Sequence, residues 1–567
     1  MSALISALDH FTPKQIGENG SVEYTWSNDL QERIVQLSFQ LTRTRDNAVL
    51  AQKTDKIIEE LNNLYNRSVI CREKYFELMS LMYRMIGYTR DIMDGKGEYD
   101  LAYMLLNVWH KHNPKLAMFA LRLFVLPPPN NTNSDYHPYG SWKDIKHIYE
   151  KYPLSPLVQY GCQLIIEQLK MDEASNNPSL VAKWVPREKS KYSDLFNILA
   201  LDYFSNYIRT AQNDMAKRKA IIKAKMDFRK LISSLNKKLD TVQIKQCANQ
   251  WSTIDPENQT SITMHKQKRA FLNVNKKGEQ RSDKEDRIEC AKKFQEYAKK
   301  AEKGEIEVKG KRIGLNDFTK EALNLIFLNK TKSSEASILN AQWLDNSKQN
   351  GALGKMIAMV DVSGSMQGDP MNVAIALGIR VAEKSMLGKR VLTFSASPNW
   401  IKLDGLDTFI DMVNAVKTAD WGMNTNFAAA LKMILEAIII QKLKPEDVED
   451  MVLAIFSDMQ MDFADSSSLS LMDSIEKNYA DAGNRLWGKP FKPPHILFWN
   501  LRSTSGFPTL STQKNTSMMS GFSPAILNLF CEEGLEALQG CNPWSLFVKS
   551  LQNERYNPLD KFLRENL

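Results

Sequence analysis

The sequence predicts a protein in two parts. A basic, α-helical, repeat-like region spans 1–350, and an α/β unit built on a doubly wound parallel sheet spans 351–567. Three observations lead there. The first 350 residues place apolar side chains at helical spacing, with no strand-like alternation between the segments. Beyond residue 350, short apolar runs alternate with helical stretches of ten or more residues, the pattern of a parallel sheet covered on both faces. Charge divides at the same point. The chain holds 74 Lys+Arg and 66 Asp+Glu. About 54 and 42 of these lie in 1–350, leaving a net charge of about +12 there and about −4 in the remainder.

The helical region opens with Asp29 and, three residues on, Glu32, the spacing of a capping box; Leu30, Ile34, Leu37 and Leu41 then share a face. Further helical segments are predicted at 75–86, 101–109, 116–125, 144–149 and 157–169. Their close succession suits stacked helix pairs, although no exact period marks a named repeat. Pro127-Pro128-Pro129 must form a surface loop between them. A long helix over 213–240 carries Lys219, Lys223, Arg229, Lys230 and Lys237 on or near one face, an arrangement suited to the phosphates of RNA. Residues 275–312 read as an exposed, charge-rich helix with flexible ends, and 345–355 (DNSKQNGALGK) as a polar linker. Trp109, Trp142, Trp184 and Trp251 are candidates for stacking on bases, with core packing expected for at least three of the four.

In the α/β part, strands are predicted at 355–360, 390–395, 401–403, 451–456 and 495–499, with helices at 372–383, 427–439 and 469–479. Ligands on such sheets bind beyond the carboxyl ends of the strands. That places the candidate chemistry in Asp361-Val362-Ser363-Gly364-Ser365 after the first strand, at Thr425 before the 427 helix, and at Asp458 after the central strand. Alternate residues of a tight loop aim Asp361, Ser363 and Ser365 at one point, where Thr425 and Asp458 complete an all-oxygen set. Hard cations take such sets, so the expected ion is Mg²⁺ or Mn²⁺. With so few fixed charges the ion keeps an open position for an anionic group of a partner.

Other chemistries are disfavoured. The six cysteines form no CxxC pair, which argues against structural zinc and a disulfide framework and suits a reducing compartment. No basic-then-apolar leader is visible at the N-terminus, and the longest apolar patch, 434–440, is far short of the ~20 residues a bilayer requires. A soluble, cytoplasmic protein is therefore expected. No HExxH is present, and Ser363 and Ser365 have no neighbouring His to activate them, so they read as ligands and not as nucleophiles. Gly351–Lys355 lacks the spacing of a phosphate loop, and Gly95-Lys96-Gly97 lacks a preceding strand and reads as a capping turn.

Asp361–Ser365, Thr425 and Ser457-Asp458 together resemble the metal-ion-dependent adhesion site of von Willebrand factor A domains, a Rossmann-like fold. Met459 departs from the glycine that often follows the distal Asp in that family. Upstream, Arg90–Glu98 (RDIMDGKGE), Gly140–Asp144 (GSWKD), Ala182–Pro186 (AKWVP) and Phe228–Leu231 (FRKL) are similar to motifs of an uncharacterised family of plants, fungi and large DNA viruses. Its members pair an N-terminal helical region with a C-terminal von Willebrand A domain, and a viral source would allow a place in the virion. The domain order and the Gly-x-Trp-x-Asp turn more distantly resemble the TROVE/Ro ribonucleoproteins, in which a ring of HEAT-like helical repeats binds RNA. These resemblances imply a non-enzymatic binding protein, with RNA on the basic helices and a divalent ion in the C-terminal part. The alternative is a protein-interaction scaffold whose metal captures a partner's carboxylate.

Overall fold

The strand Met356–Asp361 sets the layout, because it is buried on both sides and its side chains feed two cores. The computed structural model describes residues 13–567 apart from 18–19, 21, 45, 130, 132–135, 395–397, 419–426, 449–450, 461–470 and 532–540. In chain order the strands are β1 (Lys14–Ile16), β2 (Val22–Tyr24), β3 (Met356–Asp361), β4 (Arg390–Phe394), β5 (Asn399–Lys402), β6 (Val452–Ser457), β7 (His495–Asn500) and β8 (Thr516–Ser520). The first two form a small antiparallel ribbon. The others make one sheet in the order β5-β4-β3-β6-β7-β8, parallel throughout except where β5 runs against β4. The register sets Val360 beside both Thr393 and Phe456, so the ends of β3, β4 and β6 lie together.

Along β3, Ile357 and Met359 enter one core and Ala358 and Val360 the other. The second core is closed by helices Asp369–Lys384 and Phe409–Lys417 and also by Leu315–Phe327 and Ser334–Ser347, which precede the sheet in sequence. Asp369–Lys384 approaches so closely that a Cβ on Gly378 would stand 2.5 Å from Val360 Cγ2. The first core runs on without a break into the N-terminal helices.

Those helices span Leu30–Gln40, Ala48–Asn66, Arg72–Arg90, Asp100–His112, Pro114–Val125, Lys143–Lys151 and Pro156–Glu173, and each predicted helical segment lies within one of them. Asn113 and Ser155 cap two of them, each followed by proline in the first turn, where its missing N–H costs nothing. The box at Asp29 is half formed. Asp29 accepts from the Glu32 amide at 2.7 Å, whereas the Glu32 carboxylate accepts from the distant Ser511 amide at 2.9 Å.

Two sequence expectations are revised. Residues 345–350 are no free linker: Asp345, Asn346, Ser347 and Asn350 are buried. Fully buried Arg380 needs acceptors, and Asn346 Oδ1 (2.8 Å) and Asn350 Oδ1 (2.6 Å) provide them. The charge-rich helix Glu285–Glu302 is not wholly exposed either; Cys290, Phe294 and Ala298 join Ile254, Met264 and Phe271 in a core of their own. Among the described residues no helix is long and apolar enough to cross a membrane.

The C-terminal helices Pro543–Leu551 and Asn557–Asn566 return to the N-terminal region. Phe562 stacks on Phe119 at 3.9 Å, and Arg84 Nη1 donates to Leu551 O at 3.0 Å. The RDIMDGKGE segment anchors this return. Arg555 grips Asp91 through two bonds of 2.7 and 2.8 Å, while Arg90 grips Asp144 through two of the same lengths. Lys96 Nζ donates to Ser38 O (2.7 Å), Leu41 O (2.9 Å) and Ser520 Oγ (2.6 Å). The Lys96 and Glu98 amides donate to Tyr88 O and Thr89 O at 2.9 and 2.8 Å, which closes the end of helix Arg72–Arg90, and Gly97 between them takes φ +70°.

Candidate metal centre

The site lies where β3 and β6 end. Both strands are buried runs of six residues, and at their ends the backbone carries Asp361 and Asp458 into the protein interior. Asp361 Oδ1 accepts from the Ser363 amide at 2.9 Å, a two-residue turn that brings the Ser363 and Ser365 hydroxyls to within 3.1 Å of each other. Asp361 Oδ2 accepts from Ser457 Oγ at 2.6 Å, and Ser457 Oγ in turn accepts from the Met459 amide at 3.0 Å. One serine thus positions both the first acid and the loop that bears the second.

Asp458 is poorly satisfied. Its Oδ1 accepts from the Gln460 amide at 3.2 Å, but its Oδ2 is buried without a hydrogen-bond donor. The Ser365 hydroxyl lies alongside this carboxylate. The nearest cation is Arg502 Nη1 at 3.7 Å, half exposed and itself donating to Ser365 O at 3.2 Å. Burial raises both acids: Asp361 is pushed up to about 7, first by desolvation and then by the Asp458 carboxylate, and Asp458 is raised by desolvation. Two buried acids that raise each other's cost, with one oxygen lacking a donor, fit a bound cation better than they fit a purely structural role. The ligand chemistry agrees, because carboxylate and hydroxyl oxygens alone suit a hard ion.

The structure brings four of the five sequence-predicted ligands together: Asp361, Ser363, Ser365 and Asp458. Thr425 lies outside the described residues. Met459 takes φ +62°, the left-handed conformation that favours glycine; its amide is held by Ser457 Oγ and its side chain is buried. Among the described residues no three His, Cys, Asp or Glu side chains cluster to hold a metal ion. Sequence reasoning missed Arg502 and the bridging role of Ser457. Arg502 was findable: it stands two residues beyond β7, on the same strand-end edge as the acids.

The basic face is placed more loosely. In helix Asp214–Lys238, Ala224, Phe228 and Leu235 are buried, and Lys219, Lys230 and Lys237 stand exposed opposite them. Arg229 is also exposed but pairs with Glu188, and Lys223 Nζ sits over the Tyr207 ring at 4.4 Å. Arg229, Lys230 and Lys237 share a shallow surface depression with Met226, Ser233 and Ser234. Of the four tryptophans, Trp109 and Trp142 are buried, and Trp184 and Trp251, half-buried, also pack against hydrophobic cores, in line with the core packing expected of at least three.

Residues 355–556 match the family model described as "Domain of unknown function (DUF7788)". The chain is also similar to "Uncharacterized protein L728" of Acanthamoeba polyphaga mimivirus, at 29% identity over 510 residues, covering 85% of this chain and 80% of that relative. The sequence resemblance to an uncharacterised family with members in large DNA viruses is consistent with this.

Proposed function

We propose that the protein is a non-enzymatic, divalent-metal-dependent binding protein whose C-terminal part is a von Willebrand A-like domain. The single observation carrying this reading is Asp458 Oδ2, a buried carboxylate oxygen without a donor beside the Asp361–Ser363–Ser365 turn. Asp361, Ser363, Ser365 and Asp458 would hold Mg²⁺ or Mn²⁺, with Thr425 as the fifth ligand. The ion would supply a Lewis-acidic position for an anionic oxygen of a partner, such as an Asp or Glu carboxylate. The chain's own residues keep the site dry and rigid: Ser457 fixes the Asp361 carboxylate, and Arg502 at the rim favours an incoming anion. Among the described residues the acids beside the Ser363 and Ser365 hydroxyls are Asp361 and Asp458, the proposed metal ligands, and no His or Lys is bonded to either hydroxyl, which supports binding over hydrolysis.

A second reading, a Ro-like ribonucleoprotein, draws on one further observation: Lys219, Lys230 and Lys237 are exposed on one face of a helix. The two readings separate cleanly. Mn²⁺ bound at the site should enhance water-proton relaxation, and a short Glu-containing peptide should reduce that enhancement by displacing water. Asp361→Ala should abolish both effects while its circular dichroism stays native. For RNA, Lys219→Gln, Lys223→Gln and Lys230→Gln together should lower the log–log salt slope by about 2, at ~0.7 per phosphate contact on a single strand. No RNA affinity at about 100 mM salt would leave the metal-dependent reading alone.

A further inference from the structure

The GSWKD and AKWVP motifs meet in space. Lys143 and Lys146, on helix Lys143–Lys151, and Lys183, on Val181–Trp184, bring their ammonium groups to 6.0, 5.5 and 5.8 Å from the Trp184 ring centre. Lys146 also stands 5.2 Å from the Tyr192 ring, over which Lys191 lies at 4.8 Å. Lys266 of helix Ser261–Phe271 is close enough to repel Lys143. Lys143, Lys146, Lys183 and Trp184 are half-buried, so these charges are not simply spread over solvent.

The nearby acids balance them only in part: Glu150 acts on Lys146 and Asp144 on Lys143 from a distance. Among the described residues no carboxylate forms an ion pair with Lys143, Lys146, Lys183 or Lys266. The two nearby acids are committed elsewhere. Asp144 accepts from Arg90, Tyr103 and the Ser141 amide, and Glu150 accepts from Lys191 and Tyr192. Burial lowers the pKa of all three half-buried lysines; Lys266 and Lys146 lower Lys143 further, and for Lys146 the pull of Glu150 opposes burial and the Lys191 ammonium. Cation–ring contacts offset only part of such a cost, about 0.5–1 kcal/mol each at exposed sites. Ammoniums that converge on an aromatic ring without an ion-paired carboxylate suit a polyanion.

We propose that Lys143, Lys146 and Lys183, gathered around Trp184, form a binding site for a phosphate-bearing polyanion, with Lys266 as a neighbour of Lys143. The site lies on different elements from the metal centre and goes beyond the metal-dependent reading. It is also separate from the Lys219 face, although the 182–188 segment is tied to the basic helix by Asn236 Nδ2 donating to Ala182 O at 3.0 Å and by the Arg229–Glu188 pair. The same phosphate chemistry is offered by a free polyphosphate and by a nucleic-acid strand.

The full-length protein should be titrated with tripolyphosphate by calorimetry and with a labelled oligouridylate by fluorescence anisotropy, both at low salt. Wild type should bind at least one of the two probes. Lys143→Gln, Lys146→Gln and Lys183→Gln together should weaken that binding more than tenfold and, for the oligonucleotide, lower the salt slope by about 2. The corresponding Lys→Arg triple variant should retain binding. The Gln triple should also melt no lower than wild type, because it removes repelling charges; the single Lys183→Gln variant, with a smaller loss of affinity, repeats the test if the triple misfolds. Binding of tripolyphosphate that the oligonucleotide cannot displace identifies a free polyphosphate as the ligand; mutual displacement identifies a strand. Unchanged affinity in the Gln triple, or no binding of either probe, overturns the proposal. If only Lys219→Gln, Lys223→Gln and Lys230→Gln reduce oligonucleotide affinity, this site is refuted while the RNA reading stands.

Discussion

Asp91 and Asp144 in the N-terminal region, and Asp361 and Asp458 at the sheet edge, are all buried carboxylates, yet their surroundings differ sharply. Asp144 takes donors on both oxygens from Arg90, Tyr103 and the Ser141 amide, and Asp91 is similarly enclosed by Arg555, Tyr556 and the Met93 amide. Asp361 has only serine hydroxyls and one amide, and Asp458 has the Gln460 amide, the Ser365 hydroxyl and a half-exposed Arg502 at 3.7 Å, with no guanidinium bonded to either acid. A buried charge costs several kcal/mol unless it is paired and hydrogen-bonded. The first pair meets that demand within the chain, so it serves the fold. The second pair meets it only in part, and in this account a metal ion meets the rest.

The largest test of the contrast is to separate the parts. A fragment ending at residue 350 removes Phe562 from Phe119, Arg555 from Asp91 and Ser520 from Lys96. It should show broad, non-cooperative melting and bind a hydrophobic dye, whereas a sharp transition would mean that the region is autonomous. Next in size, Arg555→Ala strands the buried Asp91 charge and should destabilise by about 3–5 kcal/mol in urea titrations. The metal centre should behave in the opposite way. In metal-free protein, Asp458→Asn removes an unmet charge and should stabilise by about 1–3 kcal/mol. A loss of stability there would make Asp458 a structural acid like Asp91.

The smallest effect concerns Lys96. Burial pulls its ammonium down from 10.5 to about 7, opposed by Glu98. Between those values the unfolded chain binds the extra proton, so stability rises with pH across that window and Lys96 contributes no slope below about 7. The stability difference between wild type and Lys96→Met should be flat from pH 6 to 7 and shift in favour of wild type towards pH 9.5. A flat difference across the whole range would mean that the three oxygen acceptors hold the ammonium charged.

The sequence made the sheet readable because its strands are uninterrupted apolar runs: Met356–Val360, Val452–Phe456 and His495–Trp499 cannot be amphipathic helices of that length. β8 escaped notice because Thr516–Ser520 is half polar and becomes a strand only by pairing with β7. The candidate ligands were legible for a local reason, since the Asp361-x-Ser363-x-Ser365 spacing itself makes the turn. Partners distant in sequence were not. Glu32 reaching Ser511, Lys96 reaching Ser520 and Arg555 reaching Asp91 each depend on a chain reversal that no local pattern encodes. Residues 345–350 misled for the same reason: their polar side chains looked solvated, but they serve the buried Arg380 guanidinium.

The most direct measurement is Mn²⁺ titration of wild type and Asp458→Asn, following bound metal by electron paramagnetic resonance and stability by thermal melting. The account predicts one bound Mn²⁺ per wild-type chain and a melting temperature that climbs with metal, by the equivalent of about 2.7 kcal/mol at a hundredfold excess over Kd. It predicts neither effect in Asp458→Asn, whose metal-free form should already be the more stable. Equal Mn²⁺ uptake by the two proteins, or no uptake by wild type at millimolar metal, would contradict it.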